Sequence, residues 1–136
     1  MIPPRLLYKA PVLKILDQRL LPHKVVYLTV RDAAQTAKAI KDMVLRGAPL
    51  IGCAAAWGFP LELRSRRAAS WSEALALVRN AARVIKAARP TARALFYAAD
   101  RMQEKAERVL AGQKEFSAKK YAALIRALER EAAAIT

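Results

Sequence analysis

The sequence predicts a mainly α-helical protein with a small antiparallel β-sheet at its N-terminus. Alanine, the strongest helix former, supplies 30 of the 136 residues, and only 4 residues are glycine. From residue 32 onward, apolar residues recur every three or four positions, as on one face of a helix. The hydrophobic share of 55% exceeds the roughly 45–50% of an average globular protein, which excludes global disorder. We therefore expect one structural domain, with the sheet in residues 1–31 and five helices in residues 32–136.

Two runs rich in β-branched residues predict the strands, at Val12–Leu16 and Val25–Val30. The segment between them supplies turn residues, and Pro22 bars a continuous helix there. The first helix is expected to begin after Asp32, whose charge suits a helix N-terminus, and to end at Arg46. Its predicted buried face comprises Ala33, Ala37, Ile40 and Val44.

Four further helices follow. The second starts at Ala48-Pro49, because proline suits a first helical turn, and its small residues let neighbouring backbones approach. Ser70 is predicted to cap the third helix, with Glu73 at the capping-box position. That helix ends at Arg89-Pro90, since the residue before proline avoids the helical conformation. The fourth and fifth helices are expected to have Thr91 and Ser117 as their caps.

Composition excludes several kinds of site. One cysteine, Cys53, cannot form an internal disulfide or a cysteine zinc cluster, and one histidine, His23, removes most histidine-based metal sites and triads. Cys53 is expected to be a small buried residue. No signal-length apolar run and no window of about 18 uncharged residues is present. We therefore expect a cytoplasmic protein with no membrane partner, no metal and no cofactor.

The net charge of +14 suggests a phosphate-bearing partner, since basic domains bind nucleic-acid backbones. Residues 63–99 carry eight cations against one anion, Glu73. Aromatic side chains that could stack on bases do not interleave with these cations, apart from Trp71, which is expected to pack in the core. Nucleic acid is therefore only a minor alternative partner.

Two loop-to-helix junctions could hold an anion. Arg46-Gly47-Ala48 and Arg89-Pro90 each place an arginine beside a predicted helix N-terminus, where unpaired N–H groups and the helix dipole favour phosphate. Gly47 would let a ligand approach the backbone closely. An arginine before a helix is more often a solvated surface residue, so the local pattern leaves both interpretations open.

Three segments resemble a known family: ILDQRLLP at 15–22, RGAPLIGCAAAWG at 46–58 and RPTARALFYAADRM at 89–102. They resemble the N-terminal domain of the methylthioribose-1-phosphate isomerases, which share a superfamily with the regulatory subunits of translation initiation factor 2B. The resemblance runs from about Leu13 to the end of the chain. Within the superfamily, the first segment favours the isomerases.

The resemblance implies an aldose–ketose isomerase that converts 5-methylthioribose 1-phosphate to 5-methylthioribulose 1-phosphate in methionine salvage. Such enzymes place a catalytic cysteine and aspartate in a second, Rossmann-like domain, so we expect no catalytic residue in this chain and no activity from it alone. By motif match, substrate contacts fall on Arg46, Gly47, Ala48 and Arg89. The implied partners are the sugar phosphate, the missing C-terminal domain in cis or in trans, and a second copy in a homodimer.

Some features depart from the family pattern. Arg93 and Ala94 stand where the family usually has valine and asparagine, and Cys53 does not match the catalytic cysteine. The chain ends at Thr136, where the family's last helix would lead into the second domain. Two alternatives remain: a non-catalytic module that contacts nucleic acid or an acidic protein, and a ribose-1,5-bisphosphate isomerase-like domain.

Overall fold

The structure, a computed structural model, describes residues 4–136 and contains three strands followed by five helices. The elements are β1 (Leu6–Lys9), β2 (Val12–Leu16), β3 (Tyr27–Val30), α1 (Ala33–Lys41), α2 (Ala48–Ser65), α3 (Trp71–Ala88), α4 (Arg93–Ala111) and α5 (Ala118–Ile135), with a short 3-10 helix at Gln18–Leu20 between β2 and β3. This confirms the predicted mainly helical fold with a small antiparallel sheet. The first three residues of the predicted 1–31 segment lie outside the described residues. No helix within residues 4–136 is long and apolar enough to cross a membrane.

The sheet has three strands rather than the two predicted. Strand β2 lies in the centre and pairs antiparallel with β1 and β3, so that Leu13 faces Tyr8 on one side and Val30 on the other. Strand β1 has only four residues and was missed because it is too short to show a clear alternation of apolar and polar residues. Strand β3 begins at Tyr27 instead of Val25, whose side chain is exposed.

Helix α1 ends at Lys41, five residues before its predicted end. Met43 adopts a left-handed conformation with φ of 59°, and its N–H and that of Val44 donate to the carbonyls of Ile40 and Ala39. These two hydrogen bonds form a Schellman motif, in which glycine usually occupies the left-handed position. The expected helical role of Val44 was therefore wrong, although its side chain is buried as predicted.

Helix α2 is the centre of the protein and packs against all four other helices. Every residue of the segment Ile51–Leu63 is buried. Its glycines permit close approach, as predicted: a Cβ atom at Gly52 would lie 3.1 Å from the carbonyl oxygen of Ala94, and one at Gly58 would lie 2.6 Å from Cδ1 of Ile85. The missing side chains therefore let α4 and α3 pack closely on α2.

Side chains cap three of the five helices. The predicted caps of α1, α3 and α5 each accept a hydrogen bond from a backbone N–H three residues on, and they are Asp32, Ser70 and Ser117. Helices α2 and α4 have no side-chain cap. The prediction that Thr91 caps α4 was wrong, because the N–H of Ala92 donates to the carbonyl of Arg89 in a turn and the helix starts only at Arg93.

Candidate anion-binding site

A cavity of about 310 Å³ lies where the N-termini of α2 and α4 meet. It brings together the four predicted site residues, Arg46, Gly47, Ala48 and Arg89. The other residues that line it are Met43, Ile51, Ala92, Arg93 and Ala94. Two junctions that lie more than 40 residues apart in the sequence thus share one cavity, and the role of these residues in binding a substrate stays a prediction.

The loop between α1 and α2 holds Arg46 at this cavity. Val44 and Leu45 are almost fully buried, and the carbonyl of Val44 accepts a hydrogen bond from the Gln18 N–H at 2.8 Å. These contacts fix the loop, so the exposed Arg46 follows an anchored segment. Gly47 then serves as the N-cap residue of α2 with φ of 99°, a conformation that other residues rarely adopt.

Close packing of α4 on α2 brings the junction that contains Arg89 to the same cavity. Ala94, in the first turn of α4, lies against Gly52 and also lines the cavity. The partly buried Arg89 follows α3 directly, and a short turn separates it from α4. A side chain at position 52 would push the first turn of α4 away from α2, so this glycine sets the spacing of the two helix N-termini.

The cavity is electropositive for two independent reasons. Its three arginines, Arg46, Arg89 and Arg93, form no ion pair with any carboxylate in residues 4–136, and no residue that lines the cavity is acidic. The first turns of α2 and α4 also contain no acidic residue. The uncapped N–H groups and the positive ends of two helix dipoles therefore add to the charge of the arginines. Such a place favours a bound phosphate or other anion.

Six of the eight cations of residues 63–99 either pair with a carboxylate or line the cavity. Four of the eight are neutralised by carboxylates, in the pairs Arg64–Glu129, Arg66–Glu62, Arg79–Glu107 and Lys86–Asp100. Arg89 and Arg93 line the cavity. Within residues 4–136 only Arg67 and Arg83 of this stretch have neither a carboxylate partner nor a place in the cavity. This dispersal gives little support to a nucleic-acid interface.

The other residues considered from the sequence lie away from the cavity. Cys53 is buried, with its Sγ 3.9 Å from the carbonyl oxygen of Ile135. His23 is exposed in its loop. Asp17 pairs with Arg19, and the hydrogen bond from that guanidinium holds the pKa of Asp17 below its usual value. These residues are thus structural or solvated, as their surroundings in the sequence suggested.

Among the described residues that line the cavity, arginine is the only ionisable side chain. Arginine stays protonated at any physiological pH and offers five N–H donors, so it can hold an anion but cannot exchange protons with a substrate. No group of three or more His, Cys, Asp or Glu residues in the described part of the chain could hold a metal ion. The site can therefore bind an anion, but its own residues supply no acid or base.

The fold places the chain in a class of helical units that two solved structures share. The 5-methylthioribose 1-phosphate isomerase of Pyrococcus horikoshii matches with a TM-score of 0.87 and 30% identity, over 98% of this chain and 36% of that protein. The delta subunit of translation initiation factor eIF-2B from A. fulgidus matches with a TM-score of 0.83 and 30% identity, over 96% of this chain and 36% of that subunit.

Two curated enzymes share more of their sequence with this chain than either solved structure does. The methylthioribose-1-phosphate isomerase of Alkalilimnicola ehrlichii is 54% identical over 95 residues, and that of Pseudomonas paraeruginosa is 47% identical over 104 residues. The matches cover 68% and 75% of this chain but only 27% and 28% of those enzymes. No family model matches the chain. The chain is a homologue of the methylthioribose-1-phosphate isomerases, as its motifs predicted, and spans about a quarter of their length.

Proposed function

We propose that this chain is the substrate-binding N-terminal part of a methylthioribose-1-phosphate isomerase. In this proposal Arg46, Gly47, Ala48 and Arg89 hold the phosphate of 5-methylthioribose 1-phosphate. The observation that carries it is the meeting of two uncapped helix N-termini and their arginines in one cavity without a carboxylate. The substrate itself is inferred from the names of the homologous enzymes.

The arrangement suits a sugar phosphate because it combines charge with directed donors. The guanidinium groups of Arg46 and Arg89 can each offer two N–H donors to phosphate oxygens. Backbone N–H groups at the start of α2, beginning with that of Ala48, add donors that need no reorganisation. Gly47 leaves the backbone open to the ligand, since a Cβ atom there would meet nothing within 4 Å.

Binding alone does not isomerise the sugar. Because the phosphate occupies the anomeric carbon, the sugar ring cannot open spontaneously, and aldose–ketose conversion requires a general base and acid for proton transfer. Within residues 4–136, the ionisable side chains that line the cavity are all arginines. We therefore propose that the 136 residues bind the substrate and that catalysis requires groups from outside them.

Titration calorimetry with 5-methylthioribose 1-phosphate tests the binding role. Losing a charge-assisted hydrogen bond costs about 1.5–3 kcal/mol, so Arg46→Ala and Arg89→Ala should each weaken binding by about 10-fold or more. Arg83→Ala is the matched control, because it removes the same charge from an exposed position on α3. Equal affinities for all three variants would contradict the proposed site.

A turnover assay tests whether catalysis requires groups from outside the 136 residues. The purified 136-residue chain should produce no 5-methylthioribulose 1-phosphate, and activity should require the remainder of an isomerase, supplied in cis or in trans. Robust isomerase activity from the purified chain would contradict this part of the proposal.

A further inference from the structure

Arg93 is the third arginine of the cavity, and it occupies an electrostatically unfavourable position. It is the first residue of α4, where the positive end of the helix dipole repels a cation. The helix offers no acidic residue in its first turn and no side-chain cap to offset this repulsion. A residue that breaks a local rule without compensation points to a functional role.

The surroundings of Arg93 increase the repulsion. Arg93 shares about 310 Å³ of cavity with Arg46 and Arg89, and the cavity has no acidic lining residue. Arg93 is exposed and forms no ion pair within residues 4–136. Three like charges and two helix N-termini around one small space repel one another when it is empty. A bound anion would offset these repulsions, because it attracts each arginine and both helix N-termini.

We propose that Arg93 is a further phosphate-binding residue, acting with Arg46 and Arg89 on the same phosphate group. This inference rests on the proposed function, because it assigns an additional residue to that site. Arg93 starts from the first turn of α4, whereas Arg46 precedes α2. The phosphate is thus held from both helices that border the cavity.

The proposal predicts opposite effects on stability and on binding. Replacing Arg93 with alanine removes a cation from a helix N-terminus, and arginine and alanine have similar helix propensities. Without phosphate, the melting temperature of Arg93→Ala should therefore rise by about 1–4 °C. Its affinity for phosphate should fall by about 10-fold. If Arg93 served only to stabilise the fold, its removal would lower the melting temperature.

The role of Arg93 is tested by calorimetry and thermal melting of the 136-residue chain. Both measurements use inorganic phosphate and 5-methylthioribose 1-phosphate as ligands. Arg93→Lys keeps the charge but loses the paired donors, so its affinity should lie between those of the wild type and Arg93→Ala. Arg83→Ala controls for net charge and should bind like the wild type. If Arg46→Ala weakens binding while Arg93→Ala does not, the role of Arg93 is refuted and the proposed function stands. A wild-type chain that binds neither ligand overturns both.

Discussion

Replacing Gly47 with alanine isolates the contribution of one backbone conformation at the candidate site. Gly47 has φ of 99° and ψ of 129°, and a Cβ atom added there would meet nothing within 4 Å. The cost of the substitution is therefore conformational and not a steric clash with neighbours. Holding an alanine in this region costs on the order of 1–3 kcal/mol. Alanine also makes the unfolded chain less flexible than glycine does, which offsets about 0.4–1 kcal/mol of this cost. We therefore expect the free energy of unfolding to fall by about 1–2 kcal/mol.

Urea unfolding measures this loss as a lower midpoint with an unchanged slope. Gly112→Ala is the matched control, because Gly112 has φ of −88° and its nearest neighbour would lie 3.9 Å from the new Cβ atom. That substitution should be neutral or stabilise by up to about 1 kcal/mol. If the alanine at position 47 instead relaxes the backbone, the N-terminus of α2 shifts and phosphate affinity falls. A Gly47→Ala variant as stable as Gly112→Ala, with unchanged phosphate affinity, would refute this reasoning.

Three further substitutions test the backbone conformation, the hydrogen bonding and the electrostatics of the fold. Met43→Gly should stabilise the protein by about 0.5–1 kcal/mol, because the relief of left-handed strain exceeds the extra chain entropy that glycine loses on folding. A lower urea midpoint would contradict this. Tyr121→Phe should cost about 1–2 kcal/mol in the same assay, since the hydroxyl donates to the Leu63 carbonyl at 2.6 Å; an unchanged midpoint would contradict this. Burial raises the pKa of Glu129, but the hydrogen bonds it accepts, led by that from Arg64, hold it below 4.5. Its stabilisation is thus present above about pH 4.5 and is lost as the pH falls through the lower pKa of the folded state, so Glu129→Gln should show a shallower loss of stability between about pH 5 and pH 3.

Much of the fold could be predicted because local rules and tertiary packing agree. Ser70 and Ser117 cap their helices as their positions before apolar stripes indicated. The end of α1 could not be predicted, because Met43 takes a conformation that glycine usually supplies and nothing in the residue type signals it. The start of α4 was also misplaced, because the turn after Arg89 extends through Thr91 before the helix begins.

Helix-terminus chemistry predicted the candidate site only in its parts, whereas the family resemblance assigned all four residues to one substrate. The sequence shows an arginine at each of two junctions, and helix-terminus chemistry predicts an anion at either one. That the two meet depends on the close packing of Gly52 against Ala94, which spacing along the chain does not reveal. Arg93 was noted only as a departure from the family pattern. Its place among the other arginines follows from the fold.

The central claim is that the N-termini of α2 and α4 together bind the substrate phosphate. A nuclear magnetic resonance titration of the 136-residue chain with 5-methylthioribose 1-phosphate tests it most directly, since backbone amide shifts report where the ligand lies. We predict that the largest shifts occur at Ala48, Arg93 and Ala94, at the starts of α2 and α4. Shifts concentrated on the outer face of α3, around Arg79 and Arg83, or no saturable shifts at the helix starts, would contradict it.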